Sequence, residues 1–310
     1  MIRTMKFEDI QQIKEIDKLC FKAETKRNSA GIEGYIEASN NASIIYELNG
    51  KVVGYNFIHL WGSFAWFGPL GVHPQYHGKG IGKALINHTI KILKEDYNVS
   101  SIGLNTMPES SYNVGFYMNM GFSPLKLLLS LKKDIDSLNL PPILNSYSVN
   151  EVNISSAANY LSLKNDLKTL SDKAFNNFDL TSELYLVKNK SFGTVFQLKV
   201  GSTVHGIAIC YTKSIRENLN KNLQIKLAII DSNVDCKTAI DSIITACASY
   251  AKNIGCKSIL IDCNTYNTEI CNYLISKHNF KIYHNLVMLL MGNDNPFDSK
   301  DVLLLTRLAG

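Results

Sequence analysis

Short apolar runs alternate with stretches of helical spacing, and their order already outlines a fold. Residues 2–5 read as a strand. Glu8 and Asp9 stand at a helix start, and Ile10, Ile13, Ile16, Leu19 and Cys20 give that helix one apolar face. A second short helix is expected over 31–38. Strands at 43–48 and 51–60 flank Asn49-Gly50, a pair that accepts the positive φ a two-residue hairpin turn demands. Another strand follows over 65–72 and a glycine-rich turn over 77–82. Ile81, Leu85, Ile86, Ile90 and Leu93 then mark an amphipathic helix to about residue 95. A strand at 101–106, a helix at 110–120 and a closing strand at 125–131 complete the series. The order predicts an α/β fold, an α+β mixed sheet with helices on both faces.

The segment 139–150 contains Pro141-Pro142, which resists both helix and central strand, and reads as a linker. Beyond it the pattern recurs. A helical stretch is expected over 154–176, with strands near 183–188, 194–200, 205–211 and 223–230. A helix over 238–253, a strand at 258–262, a helix at 269–277 and a strand at 286–291 follow. The second series lies roughly 157–158 residues behind the first, so the simplest organisation is a repeat of domain size, the alternative being one large α+β domain. The expected units are 1–138 and 151–310, joined by 139–150.

The length of 310 residues agrees with two domains, and 45% apolar residues suffice for two cores. Lys and Arg number 32 against 27 Asp and Glu, and the small excess is shared between the halves, which argues against a nucleic-acid binder. No apolar run has the ~18–20 residues of a membrane helix, and the charged start lacks a signal-peptide core. The seven cysteines never fall as C-x-x-C; they read as reduced thiols of a cytoplasmic protein, and no metal is expected.

The stretch richest in chemistry is Gly71-Val72-His73-Pro74-Gln75-Tyr76-His77-Gly78-Lys79-Gly80-Ile81-Gly82-Lys83. It joins a strand to a helix through closely spaced glycines. The first amides of such a helix are orphan donors with the positive end of the helix dipole behind them, a cradle for a pyrophosphate. Gly80 and Gly82 let ligand oxygens reach the backbone with no Cβ in the way. The stretch fails as a nucleotide-triphosphate loop, because His73 stands where the first glycine belongs. It fails as a dinucleotide fingerprint, because Leu85 takes the place of the third glycine.

The stretch resembles the acetyl-coenzyme A loop of the GNAT superfamily of N-acetyltransferases, roughly V-x-P-x-x-[QR]-x-x-G-x-[GA]. Val72, Pro74, Gly80 and Gly82 match, and His77 stands where Gln or Arg is usual. About 35 residues on, Asn113-Val114-Gly115-Phe116-Tyr117-Met118-Asn119-Met120-Gly121-Phe122 is similar to the family's helix and turn, one residue tighter after the Asn. Together with the strand order the likeness covers residues 1–135.

The resemblance implies a fourth strand splayed from the fifth, with the pantetheine arm between them, paired with backbone groups of Leu70, Gly71 and Val72. It implies a pyrophosphate held by His77, Gly78, Lys79, Gly80, Ile81, Gly82 and Lys83. Asn105 and Asn113 match positions that touch the pantetheine or a bound water, and Tyr117 is the expected general acid for the leaving thiolate. Each has a plainer alternative: solvated lysines, structural asparagines, a packed aromatic. The base is the weak point, since residues 64–74 hold no Asp or Glu. His59, His73, Glu47 or a relayed water are the candidates, with His59 put forward for its pKa near 6.5. Trp61, Phe64, Trp66 and Phe67 either wall an acceptor pocket or form core.

Laid on the first half, the second puts Ile230-Asp231 at Val72-His73, a glycine-free segment from Asp235 to Ile240 at the loop, and Ile275 at Tyr117. The expectation is two tandem GNAT-like acyl-CoA N-acyltransferase domains, the second degenerate and helping to shape the acceptor site. The predicted activity is transfer of acetyl from acetyl-CoA to a primary amine, on a small molecule or a peptide, by direct attack in a ternary complex. The alternative is a non-catalytic acyl-CoA-binding sensor or interaction module.

Overall fold

The computed structural model describes residues 1–21, 27–139, 142–144, 146–213 and 222–308. The first half runs β1 (Ile2–Thr4), α1 (Ile10–Cys20), α2 (Ser29–Ala38), β2 (Ile44–Leu48), β3 (Lys51–Trp61), β4 (Phe64–Val72), α3 (Ile81–Glu95), β5 (Ser101–Thr106), α4 (Ser111–Met118) and β6 (Ser123–Asp134). The second repeats that order with β7 (Tyr147–Glu151), α5 (Ala157–Asp172), α6 (Tyr185–Lys190), β8 (Gly193–Val200), β9 (Thr203–Tyr211), β10 (Asn222–Asp231), α7 (Cys236–Asn253), β11 (Ser258–Asn264), α8 (Thr268–Asn272) and β12 (Lys281–Met291). It then adds β13 (Val302–Thr306).

Two local expectations change. Residues 183–188 are helical, a 3-10 turn leading into α6, because Asp179 accepts from Thr181 N and starts a helix there. The expected linker gives up its last residues to β7, whose Tyr147↔Val200 register makes it an edge strand; Pro141 lies outside the described residues. The hairpin turn is as expected, with Asn49 at φ 50° and Gly50 at φ 74°.

All strands join one sheet in the order β1-β2-β3-β4-β5-β12-β6-β11-β10-β9-β8-β7, with β13 added on β10. The order is a near two-fold: β1–β5 answer β7–β11, and β12 answers β6. The closing strands are exchanged. β12 pairs with β5 (Leu289↔Leu104), while β6 pairs with β11 (Ile261↔Leu131), so each half is completed by the last strand of the other. The exchange leaves neither end of the central seam as an open strand edge.

In the first half α1 and α2 cover one face, with Ile13, Ile16 and Ile32 against Tyr55 and Phe57. On the opposite face Leu85, Ile86 and Leu93 of α3 pack with Ile58, Phe67 and Leu104, and α4 joins them. Trp61, Phe64 and Trp66 are fully buried against Leu167, Phe178 and Leu180. They form core between the halves, each supplying about 1.5–3 kcal/mol of burial by the usual area scaling.

Candidate active site

Strand β4 pairs with β5 only through Phe64↔Ser101, Ala65↔Ile102 and Trp66↔Gly103, then runs on to Val72 with no partner on that side. Its other edge stays on β3, with Tyr55↔Gly71, Asn56↔Leu70 and a ladder irregularity between Asn56 and Ile58. His73 N donates to Val53 O at 2.9 Å. Bonded and non-bonded pairs alternate along an antiparallel ladder. Gly71 therefore turns its main-chain groups to Tyr55, whereas Leu70 and Val72 turn theirs into the gap. Gly71 is glycine for a different reason: a Cβ there would stand 2.6 Å from the Tyr55 ring. Asp17 fixes that ring, accepting from Tyr55 Oη and from Arg27 Nη1, each at 2.6 Å.

At the open end of the gap the chain makes a 3-10 turn over Pro74–Tyr76 and passes through Gly78 and Gly80, both left-handed at φ 75° and 76°. Gly80 is the N-cap of α3 and has no side chain to fill that role. Ala84 N is bonded to Gly80 O, so the amides of Ile81, Gly82 and Lys83 have no partner within the helix. Gly82 has an ordinary helical backbone. A Cβ on it would meet only a Val72 methyl at 3.9 Å, and one on Gly78 or Gly80 would meet nothing within 4 Å. The fold does not require glycine at 82. Lys83 is exposed, and Lys79 lies with Nζ 4.8 Å over the Tyr76 ring. The His77 side chain turns inward, its Nε2 2.8 Å from Val72 O, and Cys20 Sγ donates to the same oxygen at 3.2 Å.

Tyr117 comes from α4, which Ser110 caps by accepting from Asn113 N. Its half-buried ring packs on Phe67 and Phe122 at 6.0 and 6.3 Å, on the α3 side of the gap. Loss of solvent raises the phenol to about 12. It therefore keeps its proton at neutral pH. Against a thiol near 8.5, giving that proton to a free thiolate would be uphill at about 1.4 kcal/mol per pKa unit. Asn113 sits in the first turn of α4. Asn105, on β5, donates from Nδ2 to Arg307 O at 3.2 Å, which ties the gap to the far end of the chain.

His59 faces the opposite side of the sheet. Its ring stacks on Trp61 at 5.7 Å, meets Tyr35 edge-on at 5.0 Å, and sets Nε2 3.3 Å from Gly68 O at the β4 irregularity. Burial, then the charge of Lys226, lowers its pKa to about 3. Such an imidazole is neutral but very weakly basic, so the expected role as base does not suit its surroundings. Beside it lies a small cavity that sequence reasoning missed, because half its wall comes from the second half of the chain. Glu183 accepts from Trp61 Nε1 at 3.0 Å and stands 4.0 Å from Lys226 Nζ. Burial raises the Glu183 carboxyl, with Lys226 and Trp61 pulling it partly back.

The second half has the same gap, and its own chain fills it. β10 pairs with β11 only over Asn222–Ile225, and β13 then takes the free edge from Leu227↔Thr306 to Asp231↔Val302. At the helix end corresponding to the cradle, Asp235 caps α7, accepting from Thr238 N at 2.8 Å. Asp231 is engaged by Lys173 at 2.7 Å. Ile275 stands within a π-helical turn after α8.

Residues 10–122 match the Acetyltransferase (GNAT) family. An N-alpha-acetyltransferase of Sulfurisphaera tokodaii is 27% identical over 139 residues, 41% of this chain and 82% of that protein. The GCN5-related N-acetyltransferase of Sphaerobacter thermophilus superposes with a TM-score of 0.64 at 10% identity, covering 96% of this chain and 98% of that one. A tandem GNAT protein from the clavulanic acid biosynthesis pathway gives 0.62 at 13%, covering 95% and 99%. At such identities these two structures speak for the fold, and they extend it over both halves. Residues 10–122 thus carry the match to the GNAT family of acetyltransferases, and both halves together have the fold of tandem GNAT structures.

Proposed function

We propose that the chain is an acetyl-CoA-dependent N-acetyltransferase with one cofactor site, in the first half. The observation that carries this is the unpartnered reach of β4 ending at a helix N-terminus capped by a bare glycine. A strand edge with no partner strand suits the amides of a pantetheine arm, as an added strand does. The open space at Gly78, Gly80 and Gly82 suits a pyrophosphate on the first amides of α3. Acetyl-CoA supplies an acyl group on a thioester: the amine nitrogen bonds to the carbonyl carbon, the C–S bond breaks, and a proton leaves the amine as one joins the sulfur.

The protein's part is positioning and proton supply. Leu70 and Val72 align the arm, the α3 amides anchor the phosphates, and Tyr117 holds the proton destined for sulfur. The amine approaches from the His59 face, behind the β4 irregularity. Its proton goes to water, since no carboxylate stands on β4 and His59 is too weak a base. The functional unit is residues 1–138 completed by β12, with 147–310 as a second unit whose gap is plugged by β13 and which binds no cofactor. The seven cysteines are free thiols, which favours a reducing compartment, the cytoplasm. Among the described residues no helix is long and apolar enough to cross a membrane.

The test is release of free CoA thiol from acetyl-CoA in the presence of small amines, amino acids and peptides with free N-termini. Amine-dependent release is expected. Tight acetyl-CoA binding with no release for any acceptor would favour the sensor reading.

A further inference from the structure

The cavity behind β4 has a composition of its own. It measures about 40 Å³ and is lined by Tyr35 and His59 from the first half and Glu183, Gln224, Lys226 and Arg307 from the second. That volume holds a carboxylate-sized group or about three waters. Glu183 is already engaged by Trp61 Nε1 and lies beside Lys226. Lys226 Nζ donates to Leu308 O. Two other groups have no partner among the described residues: Tyr35 Oη, on a residue 7% exposed, and Arg307 Nε, itself buried. His59 is neutral, so the charges on the wall are one carboxylate against an ammonium and a guanidinium. A buried guanidinium nitrogen and a buried phenol, both unpaired, in a wall of net positive charge call for an anion with lone pairs to share.

We infer that this cavity takes the carboxylate of the acceptor, and that the acceptor is an amino acid or a similarly small amino-carboxylate. The carboxylate sits between Arg307, Lys226 and Tyr35 Oη. The rest of the molecule lies at the cavity mouth, its amine directed at the Gly68 irregularity where the cofactor gap opens. A cation fits poorly, because the one carboxylate on the wall is already held. This rests on the acetyltransferase reading and adds the chemical class of its acceptor. The second half thereby gains a role in acceptor binding, since Lys226 lies on β10 and Arg307 just after β13, the strand that plugs the second gap. Asn105, on the cofactor side, holds the Arg307 carbonyl, so the residue that reads the acceptor is tied to the strand that borders the acetyl group.

The experiment uses the full chain with saturating acetyl-CoA and the twenty proteinogenic L-amino acids, each paired with its α-amide. At least one amino acid should be acetylated with kcat/KM tenfold or more above its amide. Arg307→Gln should raise KM for that amino acid at least tenfold and erase its advantage. Lys226→Met is the second variant, with the same direction. Amides as good as their amino acids throughout, a preference for peptides, or a preference untouched by Arg307→Gln would overturn the inference while the acetyltransferase reading stands. If acetyl-CoA does not bind at all, that reading fails instead. Ligand-observed NMR with the same amino acids then tests the cavity directly: binding lost in Arg307→Gln supports the subsite, and no binding overturns it.

Discussion

His77 holds Val72 by its carbonyl, ring Nε2 to oxygen 2.8 Å, on the one stretch of β4 edge that has no partner strand. An incoming pantetheine amide has to share or displace that bond. Releasing one hydrogen bond of this kind is worth about 0.5–1 kcal/mol, a two- to fivefold change in affinity. His77→Ala is therefore expected to tighten acetyl-CoA binding by that factor in calorimetry. A tenfold loss would mean that the ring itself touches the cofactor.

Gly80 and Gly82 should separate conformational need from ligand need. Gly80 sits at φ 76°, where a Cβ costs about 1–2 kcal/mol, so Gly80→Ala should lower stability by that order. Gly82 is helical, and Gly82→Ala should stabilise by up to about 1 kcal/mol in chemical denaturation. Both should weaken acetyl-CoA binding. A Gly82→Ala chain that loses stability would show that the fold, not the ligand, selects that glycine.

Tyr117→Phe removes the proton but keeps the packing on Phe67 and Phe122. Turnover should fall about 10²- to 10⁴-fold, the usual range for a general acid, with acetyl-CoA affinity changed less than about threefold. Because the phenol is raised to about 12, it contributes no fall in kcat between pH 7 and 10. An alkaline decline in that window that vanishes in Tyr117→Phe would contradict the assigned environment.

His59 sets a pH dependence of stability. Its folded pKa, about 3, lies below the unfolded value near 6.5. Between those values the unfolded chain binds a proton that the native chain refuses, so stability falls as pH drops from 6.5 toward 3. The loss from pH 6.5 to 5 is about 2 kcal/mol. His59→Gln should remove that part of the slope in urea denaturation at the two pH values. An unchanged slope would place the imidazole in a wetter site.

Most of this architecture was legible in the sequence because it rests on local signals. Asn49-Gly50 marks a turn by backbone chemistry alone. The glycines from 78 to 82 mark a helix N-terminus without a cap. What depends on distant pairing was not legible. The exchange of β6 and β12 leaves no trace in either strand, since Leu128 and Leu286 read alike as core positions in any sheet. β13 looks like one more apolar strand, and nothing in Val302–Thr306 announces that it occupies a gap. Residues 183–188 carry a strand-like apolar alternation, yet Asp179 caps the turn that precedes them and sets them helical. Glu183 and Arg307 lie 124 and 248 residues from His59, so the cavity they form with it exists only in three dimensions.

The exchanged strands make a prediction about the halves. Residues 1–138 alone would expose the β5 edge that β12 covers, and would leave β6 without either of its partners. Expressed separately, the halves should be aggregated or poorly folded by near-UV circular dichroism, and co-expression should restore a stable complex. A monomeric, cooperatively folded 1–138 fragment would show that the exchange is dispensable.

The central claim is that one half of a tandem fold keeps its gap open for a cofactor while the other fills it with its own β13. Calorimetric titration of acetyl-CoA into the intact chain and into Gly82→Leu tests it directly. One site per chain is expected, abolished in the variant while its thermal unfolding stays intact. Two sites would contradict the plugged second half, and one site that survives Gly82→Leu would place the cofactor somewhere other than the cradle at α3.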